Sequence, residues 1–174
     1  NNMVEAAITA KGVVSLSAPV GNNTLTNRAS VVCKPEQSTC STALTASDCN
    51  LITNGAIIDI NGQLELNATS SNRINSYSSL SAHTLSINVR NGSNIVDSGA
   101  QLSAVELIAI QADRAGNIII GEQVTISSNI LHLIATVGSN YLRAGRVTAR
   151  SEITVKSNCS NIMSGITISA PTLV

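Results

Sequence analysis

Seven carboxylates with the spacing to matter in a glycan-processing site are Asp59, Glu65, Asp97, Glu106, Asp113, Glu122 and Glu152. Polysaccharide cleavage needs two of them facing each other across one bond, as acid and as base or nucleophile. Here they are scattered: Glu65 and Glu106, for instance, are 41 residues apart. They read as solvated strand and turn carboxylates. His83 and His132 have no acid or nucleophile at a suggestive spacing, so neither is assigned general acid–base work. No catalytic residue is assigned, and the expectation is a protein that is not an enzyme. A polysaccharide-processing enzyme is the reading it displaces. Phosphate-cradling glycine loops and nucleophile elbows are absent, and no cofactor is implied.

Arg143, Arg146 and Arg150 gather around Gly145, and Arg73, Arg90 and Arg114 recur at turns. The first three form a candidate edge for an anionic glycan or phosphate; the plainer alternative is that they solvate an edge and discourage stray strand pairing. Stacking of sugars on aromatic platforms is disfavoured, because Tyr77 and Tyr141 are the whole aromatic complement. Asn-x-Ser/Thr sequons at Asn22, Asn67, Asn91 and Asn158 are uninformative in so Asn- and Ser-rich a chain.

Cys33, Cys40, Cys49 and Cys159 are read as disulfide partners in an oxidising compartment. A zinc site would show C-x-x-C pairs or neighbouring histidines, and the spacings lack both; no metal ligands are assigned. Three pairings remain open. One bond is expected within the polar stretch 31–53, read as a Cys-rich insertion loop. The other joins Cys159 to that stretch, in the same chain or a neighbouring subunit.

These residues need a scaffold, and the composition restricts it. Of 174 residues 43% are apolar, yet Phe and Trp are missing and only 11% are charged. Ile, Leu, Val and Ala must fill the core, which suits narrow, regular layers. A polar, weakly charged, β-branched surface favours strands and tight turns. Net charge is zero, against a nucleic-acid partner. No apolar run approaches the roughly 18 residues of a membrane span.

The scaffold is visible as a repeat. Alternating triplets begin at Leu64, Leu85, Leu107, Leu131, Ile153 and Leu173, separated by 21, 22, 24, 22 and 20 residues. Each is a period-two segment with one buried face, for which Leu107-x-Ala109 is taken as inward and Glu65, Ser86, Ile108, His132 and Thr154 as outward. That outward row has no Thr array of the kind that binds ice. A second apolar series is Ile74, Ile95, Ile118, Leu142 and Ile162. A third is Leu80, Leu102, Ile126, Thr148 and Ile168. Turn formers separate them, as at 91–93, 113–117 and 137–140. Val14-x-Leu16-x-Ala18 extends the pattern backwards.

Three ladders on one period predict an all-β parallel β-solenoid, three-faced, with about seven coils of about 22 residues, spanning 1–174 as a single domain. An antiparallel sandwich explains alternation but not a shared period. The Leu-Ser-Ala steps at 80–82 and 102–104, Ile-Ser-Ala at 168–170, and the run 116–127 (GNIIIGEQVTIS) resemble repeats of filamentous-haemagglutinin-type right-handed β-helices and of other bacterial surface adhesins. That resemblance covers 56–174. It implies a right-handed coil, a secreted or cell-surface location, and adhesion or fibre building; it transfers no individual residue.

Neither end shows an amphipathic capping helix. Val4, Ala6 and Ile8 at one end, and Ile166, Ile168 and Leu173 at the other, are in strand register. The expectation is head-to-tail stacking of identical subunits into a filament, with cell-surface glycans as a further partner. The alternative is a segment cut from a longer adhesin that binds host or glycan surfaces.

Overall fold

The computed structural model describes residues 1–34, 40–114 and 116–174. Among them there is no helix. The chain winds through eight turns, each laying strands on up to three faces. The first turn is β1 (Asn2–Val4), β2 (Ala7–Ala10) and β3 (Val13–Ala18). The second is β4 (Asn23–Leu25), β5 (Ser30–Cys33) and β6 (Cys40–Ala46). The third is β7 (Cys49–Ile52), β8 (Ile57–Ile60) and β9 (Gly62–Ala68).

In the next four turns the second and third faces fuse into one long strand. The pairs are β10 (Ser71–Ile74) with β11 (Ser79–Val89), and β12 (Ser93–Val96) with β13 (Gln101–Ala112). Then come β14 (Ile118–Ile120) with β15 (Thr125–Ala135), and β16 (Asn140–Arg143) with β17 (Arg146–Ser157). The last turn is β18 (Asn161–Ser164), β19 (Thr167–Ser169) and β20 (Thr172–Leu173). Every pairing is parallel and joins one turn to the next, with β1 to β18 in a single eight-stranded first-face sheet. The parallel solenoid expected from the period is therefore present, with eight turns in place of about seven. At about 4.8 Å per strand the stack is about 34 Å long.

No single turn can bury its own apolar face; stacking buries all of them at once. The first-face column runs Leu25, Ile52, Ile74, Val96, Ile120 and Leu142, and the second Val31, Ile58, Leu80, Leu102, Ile126 and Val147. The third face stacks Leu66, Ile87, Ile110, Leu133 and Val155. All are buried. Each contributes about 1.5–3 kcal/mol of burial, set against the ordering of its own backbone.

The register corrects several sequence assignments by one or two positions. Ile95 and Ile162 stand beside Arg73, Ile119 and Tyr141 on the outer side of the first face; Val96 takes the inward place of Ile95. Thr148 lies outside, and Val147 is the buried member. Ile108 and Ile110 are inward in place of the expected Leu107 and Ala109, so Ile108 leaves the outward row and Ala109 enters it. The cause is local. Pairing shifts by a residue where the second face meets the third, between Ala82 and Thr84 and between Ser103 and Leu107. Alternation cannot be carried across such a bulge.

Ile118 is inward, but in a different column from Ile74. Its column consists of buried amides: Asn23, Asn50, Asn72, Asn94, then Ile118, then Asn140. Each Nδ2 donates to the next Oδ1, at 2.7 Å from Asn2 to Asn23 and 2.9 Å along Asn23, Asn50, Asn72 and Asn94. The Nδ2 groups also serve main-chain carbonyls at the corner between the third and first faces, Asn50 reaching Leu44 and Asn67. An amide suits this slot because it donates and accepts along the axis at the strand repeat.

The cysteine stretch is mostly regular solenoid, since most of β5 and all of β6 and β7 fall within it. Cys33 pairs with Ile60 and Cys40 with Gly62. In the third turn one residue, Asn61, separates Ile60 from Gly62, where six residues of sequence separate Cys33 from Cys40 in the second. The Cys33–Cys40 disulfide closes this gap with a Cα–Cα distance of 5.9 Å, both cysteines being buried. It staples the base of the extra chain so that the core column continues; residues 35–39 of the expected insertion lie outside the described ones. Cys49 and Cys159 are free thiols. They sit in the third and eighth turns, five strand spacings or about 24 Å apart, beyond the roughly 7 Å limit of a disulfide. The expected second bond is thus not made within the chain.

Candidate functional site

The corner from the first to the second face is a stack of two-residue turns. In four successive turns both central residues are left-handed: Asn27 and Arg28, Asn54 and Gly55, Ser76 and Tyr77, Ser98 and Gly99. Each is closed by a main-chain bond across it, Ser78 N–H to Asn75 O at 3.2 Å being one. Asn and Gly fit such turns because they tolerate positive φ. Arg28 and Tyr77, at φ 62° and 60° in the same place of their turns, do not belong to that group, nor do Ser76 and Ser98.

Tyr77 projects from this corner with 71% of its surface exposed. Its ring lies on the backbone of Gly99 one turn on, where a Cβ would come within 2.5 Å of Cδ1 and Cε1. Its hydroxyl donates to Gln123 Oε1 at 3.4 Å, two turns on. Beside the ring is an open groove of about 430 Å³, lined also by Asp97, Ser98, Ile119, Glu122 and Arg143. Asp97 is held by its surroundings: Oδ1 accepts from the N–H of Ser98 at 2.7 Å and of Glu122 at 2.9 Å. Among the described residues no partner engages Asp97 Oδ2, the Glu122 carboxylate or the Arg143 guanidinium. Tyr141 is the register neighbour of Ile119 and lies two residues before Arg143.

The three arginines of the expected anionic edge do not converge. Arg143 enters this groove, Arg146 opens β17 on the second face, and Arg150 lies farther along β17 beside Ser127, Ser128 and Thr148. Arg73 is in the middle of the first face, while Arg90 and Arg114 share the opposite corner with Asp113.

His83 Nε2 and Glu106 Oε2 meet at 3.3 Å across adjacent turns, both more than half exposed, a geometry that contributes little. His132 faces outward between Ala109 and Thr154. Among the described residues no three His, Cys, Asp or Glu side chains converge as a metal site, and no helix is long and apolar enough to cross a membrane.

Of the expected end residues, Val4, Ile8, Ile166 and Ile168 pack half-buried against the core, while Ala6 and Leu173 are exposed.

The chain matches no family model, no curated protein and no solved structure. The likeness to haemagglutinin-type repeats accordingly extends to the coil architecture and no further.

The sequence reading missed the groove because its residues are spread over 77–143. A signal was available. In the turn formers that recur before the second face, a tyrosine occupies the place held by Gly55 and Gly99 in neighbouring turns.

Proposed function

We propose that the chain is an extracellular structural and adhesive module whose solenoid continues axially from one copy to the next, head to tail. The observation that carries this reading is the register of the end turns. Met163, Ile168 and Leu173 occupy the same three columns as Val4, Ile8 and Val14. The amide column agrees in direction. Asn161 Nδ2 donates to Val155 O at 3.1 Å and retains a second proton, while among the described residues no donor engages Asn2 Oδ1. A further turn in register gives each its partner, as Asn140 and Asn161 have at 2.8 Å. The contact is heterologous and does not close, which yields a filament. A disulfide in the core is compatible with an oxidising, extracellular setting.

The adhesive half of the reading is supported by the groove, which opens sideways and stays free when turns stack along the axis. The same end columns also accept further turns of one longer polypeptide, as in a large surface adhesin. Negative-stain electron microscopy over a concentration series, with and without reductant, separates the two sources. Unbranched filaments repeating at about eight strand spacings, about 38 Å, are expected for head-to-tail copies. Dispersed short particles at every concentration overturn the filament and leave the adhesin segment.

A further inference from the structure

We infer that the Tyr77 groove is a binding site for a neutral pyranose unit of a glycan. The inference rests on the adhesive part of the proposed function and is independent of filament formation.

The first argument is the ring itself. The left-handed position on this corner is filled in successive turns by Arg28, Gly55, Tyr77, Gly99, Gln123, Ala144 and Gly165, so the unfavourable backbone belongs to the corner, and Tyr77 is the place where it carries an aromatic ring. The core does not require that ring, because the side chain is 71% exposed.

The second is preorganisation. The ring packs over Gly99, and the hydroxyl reaches Gln123 Oε1 at 3.4 Å, a long contact, so it is chiefly the close approach to Gly99 that restricts the ring before any ligand arrives. A binder whose contact surface is already ordered does not lose that entropy on association. The free face is an electron-rich surface of pyranose-ring size. The C–H bonds on one side of a sugar ring present the complementary positive edge.

The third is the polar complement. A sugar hydroxyl both donates and accepts, and the groove offers both roles without internal partners to displace: Asp97 Oδ2 and Glu122 accept, and Arg143 donates as a fork. Asp97 is aimed by two main-chain N–H groups, so its free oxygen has a defined position.

Charge decides among glycans. Two carboxylates and one guanidinium leave the groove with one net negative charge, which repels sulfated, phosphorylated or sialylated chains. The volume of about 430 Å³ lies at the small end of ligand sites, about 300–1,000 Å³. It fits one or two sugar units, with the rest of a chain running out along the open corner.

The test uses the aromatic poverty of the chain. With two tyrosines and no Phe or Trp, ring-labelled tyrosine gives two NMR spin systems, and comparison with Tyr77→Ala assigns them. The protein is first screened on immobilised neutral gluco-, galacto- and manno-oligosaccharides with their N-acetylated forms, alongside sulfated and sialylated glycans. The strongest neutral glycan is then titrated into solution.

The expected result is saturable binding of a neutral glycan with a shift of the Tyr77 ring signals. Tyr77→Ala is expected to weaken binding about tenfold, the effect of about 1.4 kcal/mol of stacking, and Glu122→Gln to weaken it also. No neutral binder, binding that survives Tyr77→Ala with the Tyr77 signals unmoved, preference for the anionic glycans, or a Tyr77 shift produced by calcium alone would each overturn the inference. Circular dichroism and microscopy of the same variants separate this outcome from loss of fold or of assembly.

Discussion

Asn140 stands directly above Ile118 in the amide column, and its Oδ1 is buried without a hydrogen-bond partner. In the turns below, the corresponding oxygen always receives the Nδ2 of the preceding turn. The isoleucine breaks a chain of mutually polarised amides and leaves an unmet acceptor, which costs about 1–3 kcal/mol.

Ile118→Asn is expected to leave stability within about 1 kcal/mol of the parent. Lost burial of about 2 kcal/mol is offset by hydrogen bonds of about 1 kcal/mol each to Asn94 and Asn140. The identical change at Ile87, equally buried but in an apolar column, should cost about 3 kcal/mol or more. Urea unfolding of the two variants checks the contrast; equal losses would mean that the amide column has no repairing effect.

The two free thiols and the buried bridge should differ in chemistry as well as in place. Denatured, unreduced protein is expected to show two thiols and reduced protein four. In the native state, maleimide should label exposed Cys159 first. Cys49 should follow more slowly, because it is half-buried with its Sγ 2.6 Å from Ser71 Oγ. Replacing Cys33 and Cys40 by Ala should cost about 2.5 kcal/mol, the loop-closure value for so short a ring, read from urea unfolding without reductant. No loss would mean that the third-turn template at Ile60–Gly62 already holds the gap closed.

The period was legible because each turn repeats the same columns of Leu, Ile and Val, and 22-residue spacing survives small slips. Which residue of a short first-face strand points inward was not. With three or four residues per strand, alternation has too few cycles to fix phase, and Ile95, Ile119 and Ile162 supply apolar residues on the outer side. The polar column of the core is marked in the sequence as well, since Asn50, Asn72 and Asn94 recur at intervals of 22. Hydrophobicity alone reads such an asparagine as a turn. The groove was harder still, because it forms only when four turns stack Tyr77, Asp97, Glu122 and Arg143 on one corner.

Close stacking at the opposite corner makes a second contrast. A Cβ on Gly92 would overlap the carbonyl oxygen of Ser70, and one on Gly138 that of Gly116, whereas one on Gly12 meets nothing within 4 Å. Gly92→Ala should therefore cost about 3 kcal/mol or more through backbone displacement between turns. Gly12→Ala, with no such contact, should stay within about 0.5 kcal/mol of the parent. Thermal and urea unfolding of the pair decide it; a tolerated Gly92→Ala would mean that the corner can open without disturbing the ladder.

Tyr77 lets stability and binding be pulled apart. Glycine at this left-handed position relieves about 1–2 kcal/mol of backbone strain and adds back about 0.5–1 kcal/mol of unfolded-state entropy. It also forfeits the ring's contact with Gly99, a modest loss for a side chain so exposed. Tyr77→Gly is expected to be as stable as the parent or up to about 1 kcal/mol more so, while glycan binding falls with the ring. The same protein samples, unfolded in urea and titrated with the neutral glycan, read both quantities. A clear loss of stability would make Tyr77 a structural residue of the corner and count against its role in recognition.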